Sequence, residues 1–411
     1  MIAFYNVFIR LYGFAIWLYS FVNEKAKLWI VGRKNWHKNL INNIPNGANV
    51  VWIHCASLGE FEQGRTVIES IKKQNNQQFI LLTFYSPSGY EIRKNYEYAN
   101  YVCYLPLDTK NNAKQFLEIV KPSVAIFVKY EFWFNILDEL YVRNIKIIFI
   151  SAIFRENHYL FTWYGKVFLE KLKKLNHLFL QDENSYQLLK KNSFANITIA
   201  GDTRFDRVFE LANNTVEDEI VKQFTLNSAT IILGSSWVQD ENILFEIMPH
   251  LQNLNLKIII APHEVDAQNI DRILLQCKNY NPICYTKYKQ ENSSQILIID
   301  CIGKLMQIYK YGTMAFVGGG FGKGIHNILE PATFGLPIAF GPNYKNFNEA
   351  VELEKLSVAF CINNETDLLN FIKHFLPKTE EYNNVSGIAI NYVSSKCGAT
   401  KQILNYLFEN K

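Results

Sequence analysis

Short apolar runs alternate with amphipathic stretches along most of the chain that follows Asn49. The runs are rich in β-branched and aromatic residues, which favour strands, and stretches with helical spacing, such as Phe61 to Lys73 and Ala113 to Val120, separate them. This alternation predicts a parallel sheet with helices on both faces. The first set of predicted strands comprises Val50 to His54, Phe79 to Thr83, Val124 to Val128, Lys146 to Ile150 and His177 to Leu180.

The alternation pauses between Gly201 and Glu219 and then starts again. The second set of predicted strands comprises Ile231 to Leu233, Lys257 to Ile260, Ile296 to Ile299, Met314 to Val317, Ile338 to Phe340 and Val358 to Cys361. Two such sets predict an α/β protein of two Rossmann-like domains facing each other across a cleft. We divide the chain into an N-terminal anchor helix with its basic flank (1–40), a first domain (41–205), a linker (206–220) and a second domain (221–411). The last helix, Ala399 to Phe408, is a candidate to pack back on the first domain.

Length and composition agree with this division and narrow the range of partners. A chain of 411 residues exceeds the usual size of a single hydrophobic core. The formal net charge of +4 is too small to indicate a nucleic-acid partner. Seven cysteines without a CxxC pair indicate reduced thiols in the cytosol.

The N-terminal residues predict contact with a membrane. Ile2 to Val22 carries one charge, Arg10, over 21 residues and is long enough to span a bilayer. Five basic residues follow it: Lys25, Lys27, Arg33, Lys34 and Lys38. This flank predicts that the remainder of the protein stays in the cytoplasm. Arg10 and the tyrosines also permit an amphipathic helix lying in the interface, and a soluble core helix is a further alternative. A cleavable signal peptide is disfavoured, because no positive n-region precedes the apolar run and no small-residue cleavage site follows it.

A glycine-rich segment, Phe316 to Pro342, reads FVGGGFGKGIHNILEPATFGLPIAFGP. A predicted strand enters a loop with five glycines in seven residues, and a helix is predicted from Asn327 to Phe334. Glycines permit close approach of a ligand, and the N–H groups of a helix start attract anions, so the segment predicts a phosphate or nucleotide site. Its spacing matches neither the P-loop nor the dinucleotide fingerprint. Glu330 either faces a ribose diol or forms a capping box with Asn327, and the two roles can coexist.

The sequences HNILEPA and GLPIAFGP in this segment resemble the C-terminal domain of bacterial 3-deoxy-D-manno-octulosonic acid (Kdo) transferases, which have the GT-B fold. HCASLGE, YEFWFN, GDTRFD and LGSSW occur in the order of that family along nearly the whole chain. The resemblance implies that Glu60, in HCASLGE, is the general base. It also implies that Glu131, where the family has ETELWPN, and Arg204, where the family has GNLKFD, stabilise the transition state.

From position alone, each of these three residues has a simpler role. Glu60 follows a predicted Ser-Leu-Gly turn, so as an acid at a helix start it would interact with the helix dipole. Glu131 and Lys129 would share one face of a strand and form an ion pair. Arg204 would be a surface cation of the linker, and it departs from the family, which has lysine there.

The resemblance also implies a CMP-binding region in the second domain. Its residues are Pro262, His263, Gly303, Lys304, Leu305, Asn327, Ile328, Leu329 and Glu330. Two of them depart from the family, because His263 stands in place of an arginine and Lys304 in place of a glutamate. Lys304 and Lys323 are candidate phosphate partners, with solvated surface lysines as the alternative.

A chain of this family would be an inverting glycosyltransferase of lipopolysaccharide biosynthesis. It would move Kdo from CMP-Kdo to a lipid A precursor (lipid IVA) at the cytoplasmic leaflet of the inner membrane. Because no HExxH motif and no DxD set at a strand end occurs, we expect metal-independent chemistry with no cofactor besides the donor. Two other hypotheses remain: a UDP-sugar transferase or epimerase of the same fold, and a non-catalytic membrane adaptor that binds a nucleotide.

Overall fold

The computed structural model describes residues 2–289 and 294–408, which divide into two compact units. The first unit comprises Met1–Asp206 and Cys397–Lys411, and the second comprises Arg207–Lys396. Each unit contains a seven-stranded sheet, and every strand pairing is parallel. The predicted α/β class is therefore confirmed.

The strands of the first unit are β1 (Val50–Cys55), β2 (Phe79–Phe84), β3 (Tyr101–Tyr104), β4 (Val124–Val128), β5 (Lys146–Ala152), β6 (His177–Leu180) and β7 (Ile197–Ile199). Their order in the sheet is β3-β2-β1-β4-β5-β6-β7. The helices are α1 (Ile2–Tyr19), α2 (Glu24–Val31), α3 (Trp36–Asn43), α4 (Leu58–Gln74), α5 (Pro87–Arg93), α6 (Lys110–Val120), α7 (Phe134–Val142), α8 (Lys166–Leu172), α9 (Glu183–Lys191) and α10 (Thr203–Asn213), which continues past the unit boundary.

The strands of the second unit are β8 (Ala229–Ser236), β9 (Leu256–Pro262), β10 (Pro282–Cys284), β11 (Ile296–Ile298), β12 (Met314–Val317), β13 (Ile338–Phe340) and β14 (Ala359–Cys361). Their order is β10-β11-β9-β8-β12-β13-β14. The remaining helices are α11 (Glu219–Phe224), α12 (Val238–Leu251), α13 (Ala267–Gln276), α14 (Leu305–Ile308), α15 (Leu329–Thr333), α16 (Asn348–Lys355), α17 (Glu365–Phe375), α18 (Glu380–Ser395) and α19 (Ala399–Phe408). The predicted linker, 206–220, holds the end of α10 and the start of α11.

The central strands of the first sheet are buried on both faces, which is the usual condition of a parallel sheet between helices. Trp52, Phe127 and Phe149 pack on one face, and Ile53 and Val128 belong to the core on the other. Alternate residues of β1 and β4 therefore serve opposite cores. This double burial is why these strands read as continuous apolar runs.

Three strands were not predicted from the sequence, namely β3, β7 and β10. Each lies at an edge of its sheet and has only three or four residues. An edge strand has one neighbour and is partly exposed, so it lacks the apolar run that identifies a central strand. All of the strands that were predicted are present, with ends that shift by a few residues.

Helix α19 belongs to the first unit although it ends the chain. The carboxylate of Asp206 accepts hydrogen bonds from the backbone N–H groups of Gly398 and Thr400, at 2.5 and 2.6 Å. Ile403 is fully buried in the core that contains Ile53. The chain thus leaves the second unit after Lys396 and completes the first one.

Helix α1 lies on the first unit along one stripe. The Tyr5 hydroxyl donates to Asp108, Asn135 donates to the side-chain oxygen of Asn6 over 2.8 Å, and Ile9 is buried. Large apolar side chains cover its other faces and are exposed: Phe4, Val7, Phe8, Leu11, Phe14 and Leu18. By length and composition, α1 is the one helix within the described residues that is apolar enough to cross a membrane.

Candidate active site

The proposed catalytic carboxylates emerge from neighbouring strands at the centre of the first sheet. Glu60 follows β1 and Glu131 follows β4, and these two strands are paired side by side. The chain continues outward from β1 in one direction and from β4 in the other, which makes this the switch point of the sheet. Open parallel sheets bind ligands beyond the carboxyl ends of strands at such a point.

Glu60 lies in the first turn of α4 rather than after a turn. The helix begins at Leu58, so the predicted Ser-Leu-Gly turn is already helical. Ser57 is the N-cap residue, and Ser and Glu at this spacing usually form a capping box. Here the Ser57 side chain makes no capping bond, and its hydroxyl donates to the Glu60 carboxylate instead. Helix α4 therefore lacks an N-terminal capping hydrogen bond, which typically contributes about 1 kcal/mol to stability.

Glu131 lies on the loop between β4 and α7 and is mostly buried. The predicted ion pair on a strand face is wrong, because β4 ends at Val128 and Lys129 adopts a left-handed conformation with φ of 64°. Burial, reinforced by the charge of Glu60, raises the pKa of Glu131 to about 7, although Trp133 and Lys129 act in the opposite direction. A buried carboxyl group with a raised pKa beside a second carboxylate suits an acid–base site.

A buried hydrogen-bond network of Thr83, His54 and Trp133 lies next to Glu131. His54, near the end of β1, is fully buried and places Nδ1 2.9 Å from the Thr83 hydroxyl. The indole N–H of Trp133 donates to His54 Nε2 over 3.0 Å, and a carboxylate oxygen of Glu131 lies 4.0 Å from the same nitrogen. Burial, aided by the charge of Arg33, lowers the pKa of His54 to about 3. The sequence signal was the histidine that opens HCASLGE, to which no role was assigned.

Arg204 is held at the start of α10 by Asp202. Its Nε and Nη2 lie 2.9 and 2.8 Å from one Asp202 oxygen, and that oxygen also accepts from Gln63 of α4 over 2.8 Å. Burial alone would raise the pKa of Asp202, but the charge and hydrogen bonds of Arg204 and the Gln63 amide lower it. Arg204 is thus tied to the helix that carries Glu60, and Asp202 is a positioning residue that the sequence reasoning missed.

Arg33 is not part of the basic flank after α1. Its guanidinium donates to the backbone carbonyls of Trp29, Tyr85 and Leu105 at 3.1, 2.7 and 2.8 Å, and it also lies over the rings of Trp29, Tyr85 and Tyr104. Burial lowers its pKa to about 10, so the side chain remains charged at neutral pH. The other members of the flank are exposed: Lys25, Lys27, Lys34 and Lys38.

The second sheet has its own switch point, between β8 and β12. The glycine loop follows β12 and packs tightly against the end of β8 and against the residue that follows β13. A Cβ on Gly318 would lie 2.5 Å from the Ser235 carbonyl oxygen, and one on Gly320 would lie 2.5 Å from the Gly341 nitrogen. These two glycines are therefore required for backbone packing, a reason that differs from the predicted approach of a ligand.

Three stacked rings lie at this end of the second sheet. The centroids of Trp237 and His263 are 4.7 Å apart, and those of His263 and His326 are 4.4 Å apart. The Trp237 indole N–H donates to His326 Nε2 over 2.9 Å. Burial, with the charge of His263, lowers the pKa of His326 to about 4. His263 was predicted as a site residue, and the stack adds Trp237 and His326 to it.

The other predicted donor-site residues are divided among several elements. Pro262 ends β9 and is buried, Gly303 lies on an exposed loop with φ of 86°, and Leu305 begins α14. Lys304 donates to the Asp218 carboxylate over 3.0 Å. Lys304 thus forms an ion pair within the second unit, whereas Lys323 on the glycine loop is exposed, and the role of either lysine as a phosphate partner stays a prediction.

The predicted helix after the glycine loop is shorter than expected. Helix α15 begins at Leu329 and ends at Thr333, so Asn327 and Ile328 precede it. The predicted capping box does not form, because the Asn327 side chain accepts from the N–H of Leu329 and donates to Glu330 Oε1 over 3.1 Å. Asn327 and Glu330 thus support one another, while Ile328 and Leu329 are buried.

Comparisons with known proteins relate the chain to one group of enzymes. A family model described as 3-deoxy-D-manno-octulosonic-acid transferase (kdotransferase) matches residues 33–207. The 3-deoxy-D-manno-octulosonic acid transferase of Rickettsia typhi is 28% identical over 337 residues, which are 80% of this chain and 72% of that protein. The transferase of the same name from Aquifex aeolicus is 25% identical over 346 residues, 82% of this chain and 89% of that protein.

Among solved structures, the UDP-GlcNAc 2-epimerase of Neisseria meningitidis superposes with a TM-score of 0.60. It is 14% identical and covers 88% of this chain and 99% of its own. At this identity the likeness shows a common fold and no common activity. The family model over residues 33–207 and the relatives, at 28 and 25% identity, support a Kdo transferase, and the structural likeness shows the GT-B-like fold.

Proposed function

We propose that the protein transfers Kdo from CMP-Kdo to a lipid A precursor of the lipid IVA type, with inversion at the anomeric carbon. The observation that carries the proposal is the placement of Glu60 and Glu131 at the ends of the paired strands β1 and β4. The similarity to Kdo transferases suggests the donor and acceptor classes, and the paired carboxylates supply an acid–base function that such a transfer requires.

The proposed reaction is a single displacement. A hydroxyl oxygen of the acceptor attacks the anomeric carbon of Kdo, the bond from that carbon to the phosphate oxygen breaks, and CMP leaves with the bonding pair. Glu60 takes the hydroxyl proton, and the Ser57 hydroxyl orients its carboxylate. Glu131 in its ionised form stabilises the positive charge that develops on the sugar, and Arg204 stabilises the departing phosphate.

The second unit binds the CMP moiety in this proposal. The stack of Trp237, His263 and His326 offers aromatic faces and ring N–H groups, and the pair Asn327–Glu330 offers a carboxylate for the ribose diol. Metal-independent transfer is part of the proposal and rests on the sequence, which has no HExxH motif and no DxD set at a strand end. A UDP-sugar enzyme of the same fold is the second candidate, and protection by CMP but not UDP against thermal unfolding would separate the two.

We also propose that α1 lies in the cytoplasmic surface of the inner membrane. Tyr5, Asn6 and Ile9 hold one stripe of the helix on the first unit, which is hard to reconcile with a helix that crosses the bilayer. Its exposed apolar faces and the exposed lysines that follow suit an interfacial helix on an anionic leaflet. This position keeps the enzyme at the surface that contains its lipid acceptor.

Replacement of the proposed base tests the assignment directly. Glu60→Gln keeps the shape of the side chain and removes its basicity, so we expect turnover to fall by about 10²–10⁴-fold while CMP affinity changes little. Glu62→Gln is the matched control, because Glu62 lies two residues further along α4 and pairs with Arg65 and Arg93 at the surface. Near-normal turnover in Glu60→Gln, or an equal loss in the control, would contradict the assignment.

A further inference from the structure

We infer that His54 is a positioning residue of the active site: as a neutral imidazole protonated on Nδ1, it holds the Trp133 indole and thereby governs the protonation of Glu131. The inference rests on the proposed function only in taking Glu131 as a catalytic group. It follows from the order in which protons are placed along a buried row of four side chains, Trp52, Thr83, His54 and Trp133.

The Thr83 hydroxyl fixes one end of the row. A hydroxyl has one proton to donate and two lone pairs to accept with. Its oxygen accepts from the Trp52 indole N–H over 2.8 Å, and its own proton can be donated to the Ile53 carbonyl at 3.5 Å. The oxygen can therefore also accept from His54 Nδ1 at 2.9 Å, and because the Trp133 contact leaves Nε2 unprotonated, the neutral ring donates from Nδ1.

Trp133 fixes the other end of the row. An indole nitrogen donates only, so its 3.0 Å contact makes His54 Nε2 an acceptor. Both ring nitrogens are then used, and a second ring proton would have no place. The indole itself is stacked on Tyr85 at 4.5 Å, and the Tyr85 carbonyl accepts from Arg33. The geometry thus holds the imidazole in one tautomer and the indole in one orientation.

Glu131 competes with His54 for the same indole proton. Its carboxylate lies 4.0 Å from His54 Nε2, and the Trp133 N–H also stabilises its ionised form. With the imidazole neutral, the 4.0 Å contact is no ion pair, and the Nε2 lone pair disfavours a negative charge there. His54 therefore acts against ionisation of Glu131 by drawing the indole N–H to itself.

Other titratable and charged groups act on Glu131 from the surrounding elements and remain the same in each variant below. They are Glu60 on α4, Lys129 and Tyr130 on its own loop, Cys55 on β1, Tyr85 after β2 and Tyr159 in the segment after β5. A fully buried histidine that served only as packing would leave the proton affinity of Glu131 unchanged. The two roles therefore differ in a measurable quantity.

Two variants shift the Glu131 titration in opposite directions if the inference is correct. His54→Leu frees the indole N–H for the carboxylate, so the pKa of Glu131 falls by about one unit. Trp133→Phe removes the donor, so that pKa rises by about one unit. His54→Gln keeps an acceptor for the indole N–H, so it shifts the pKa of Glu131 less than His54→Leu does. Trp36→Phe, at a half-buried tryptophan outside the row, is the control and leaves it unchanged.

The Glu131 titration is measured on the full-length protein in detergent by infrared difference spectroscopy. The carboxyl band of Glu131 is identified as the one that Glu131→Gln removes, and the pH profile of transfer is measured as well. Thermal unfolding of each variant is measured in parallel, and if His54→Leu does not fold, His54→Gln and Trp133→Phe carry the test. Shifts of the same sign in His54→Leu and Trp133→Phe, or no shift in Trp133→Phe, would overturn the inference. Because the infrared band requires no turnover, failure of the inference is distinguishable from failure of the proposed transfer.

Discussion

Neighbouring carboxylates divide their tasks when their surroundings differ, and Glu60 and Glu131 have very different surroundings. Glu60 is half-exposed in a helical first turn and accepts from the Ser57 hydroxyl. Glu131 is mostly buried, with an imidazole lone pair and the charge of Glu60 against its negative charge. Glu60 is placed to take a proton, whereas the negative charge of Glu131 is unfavourable until positive charge develops nearby. The two carboxylates together suit a transfer through a cationic transition state.

The raised pKa of Glu131 predicts an acid limb in the transfer rate. Because only the ionised form stabilises the transition state, activity should be lost as the pH falls through about 7 and should be full above it. With one such group, the rate at pH 6 should be about tenfold below the rate at pH 8. Initial rates across this range measure the limb, and the residual rate of Glu131→Gln should not follow it. A flat wild-type profile would contradict the role of Glu131.

At the scale of elements, the central strands are predictable from the sequence, whereas of the four edge strands only β14 was predicted. Strand β4 was predicted with its exact ends because double burial makes it uniformly apolar, whereas the edge strands β3, β7 and β10 left no such signal. The segment after the glycine loop was predicted as a longer helix, because Asn327 and Glu330 have the spacing of a capping box. Their side chains bond one another instead, and that choice depends on tertiary packing.

The same distinction applies to the candidate site. Glu60, Glu131 and Arg204 were found through motifs. Glu60 and Glu131 lie beside the switch point of the first sheet, and Arg204 bonds Asp202, which accepts from Gln63 of α4. The contacts of Lys304 and Arg33 were not readable, because both join residues far apart in sequence. The amino-acid sequence alone does not show whether the partner of a basic side chain is a ligand, a lipid or a carbonyl of the same chain.

Helix α1 carries a prediction at this scale. Phe8→Glu together with Leu11→Glu places charges on the exposed apolar face, where each side chain would otherwise gain about 1.5–3 kcal/mol from burial in lipid. We expect the protein to leave the membrane fraction for the soluble fraction with an unchanged melting temperature. Ile9→Ala on the buried stripe is the control, and it should lower the melting temperature while the protein stays on the membrane. Retention of the double variant on vesicles would exclude an interfacial α1.

At the scale of the whole molecule, one architectural device occurs twice. Each unit has a parallel sheet whose strand order reverses next to its first strand, and each carries its candidate residues at the carboxyl ends beside that point. Left-handed non-glycine residues lie close to both points, Lys129 directly after β4 in the first unit and Ser235 near the end of β8 in the second. Strain of this kind, about 1–3 kcal/mol per residue, is retained where function requires a defined backbone.

The central claim is that this chain moves Kdo from CMP-Kdo to a lipid acceptor without a metal ion. The most direct measurement is mass spectrometry of a tetraacylated lipid A precursor after incubation with the detergent-solubilised protein and freshly generated CMP-Kdo in the presence of EDTA. We predict a mass gain of one or more Kdo units, and the number of units added is read from the same spectrum. No gain with EDTA, with a gain restored by Mg²⁺, would contradict metal independence, and no gain under either condition would contradict the transfer itself.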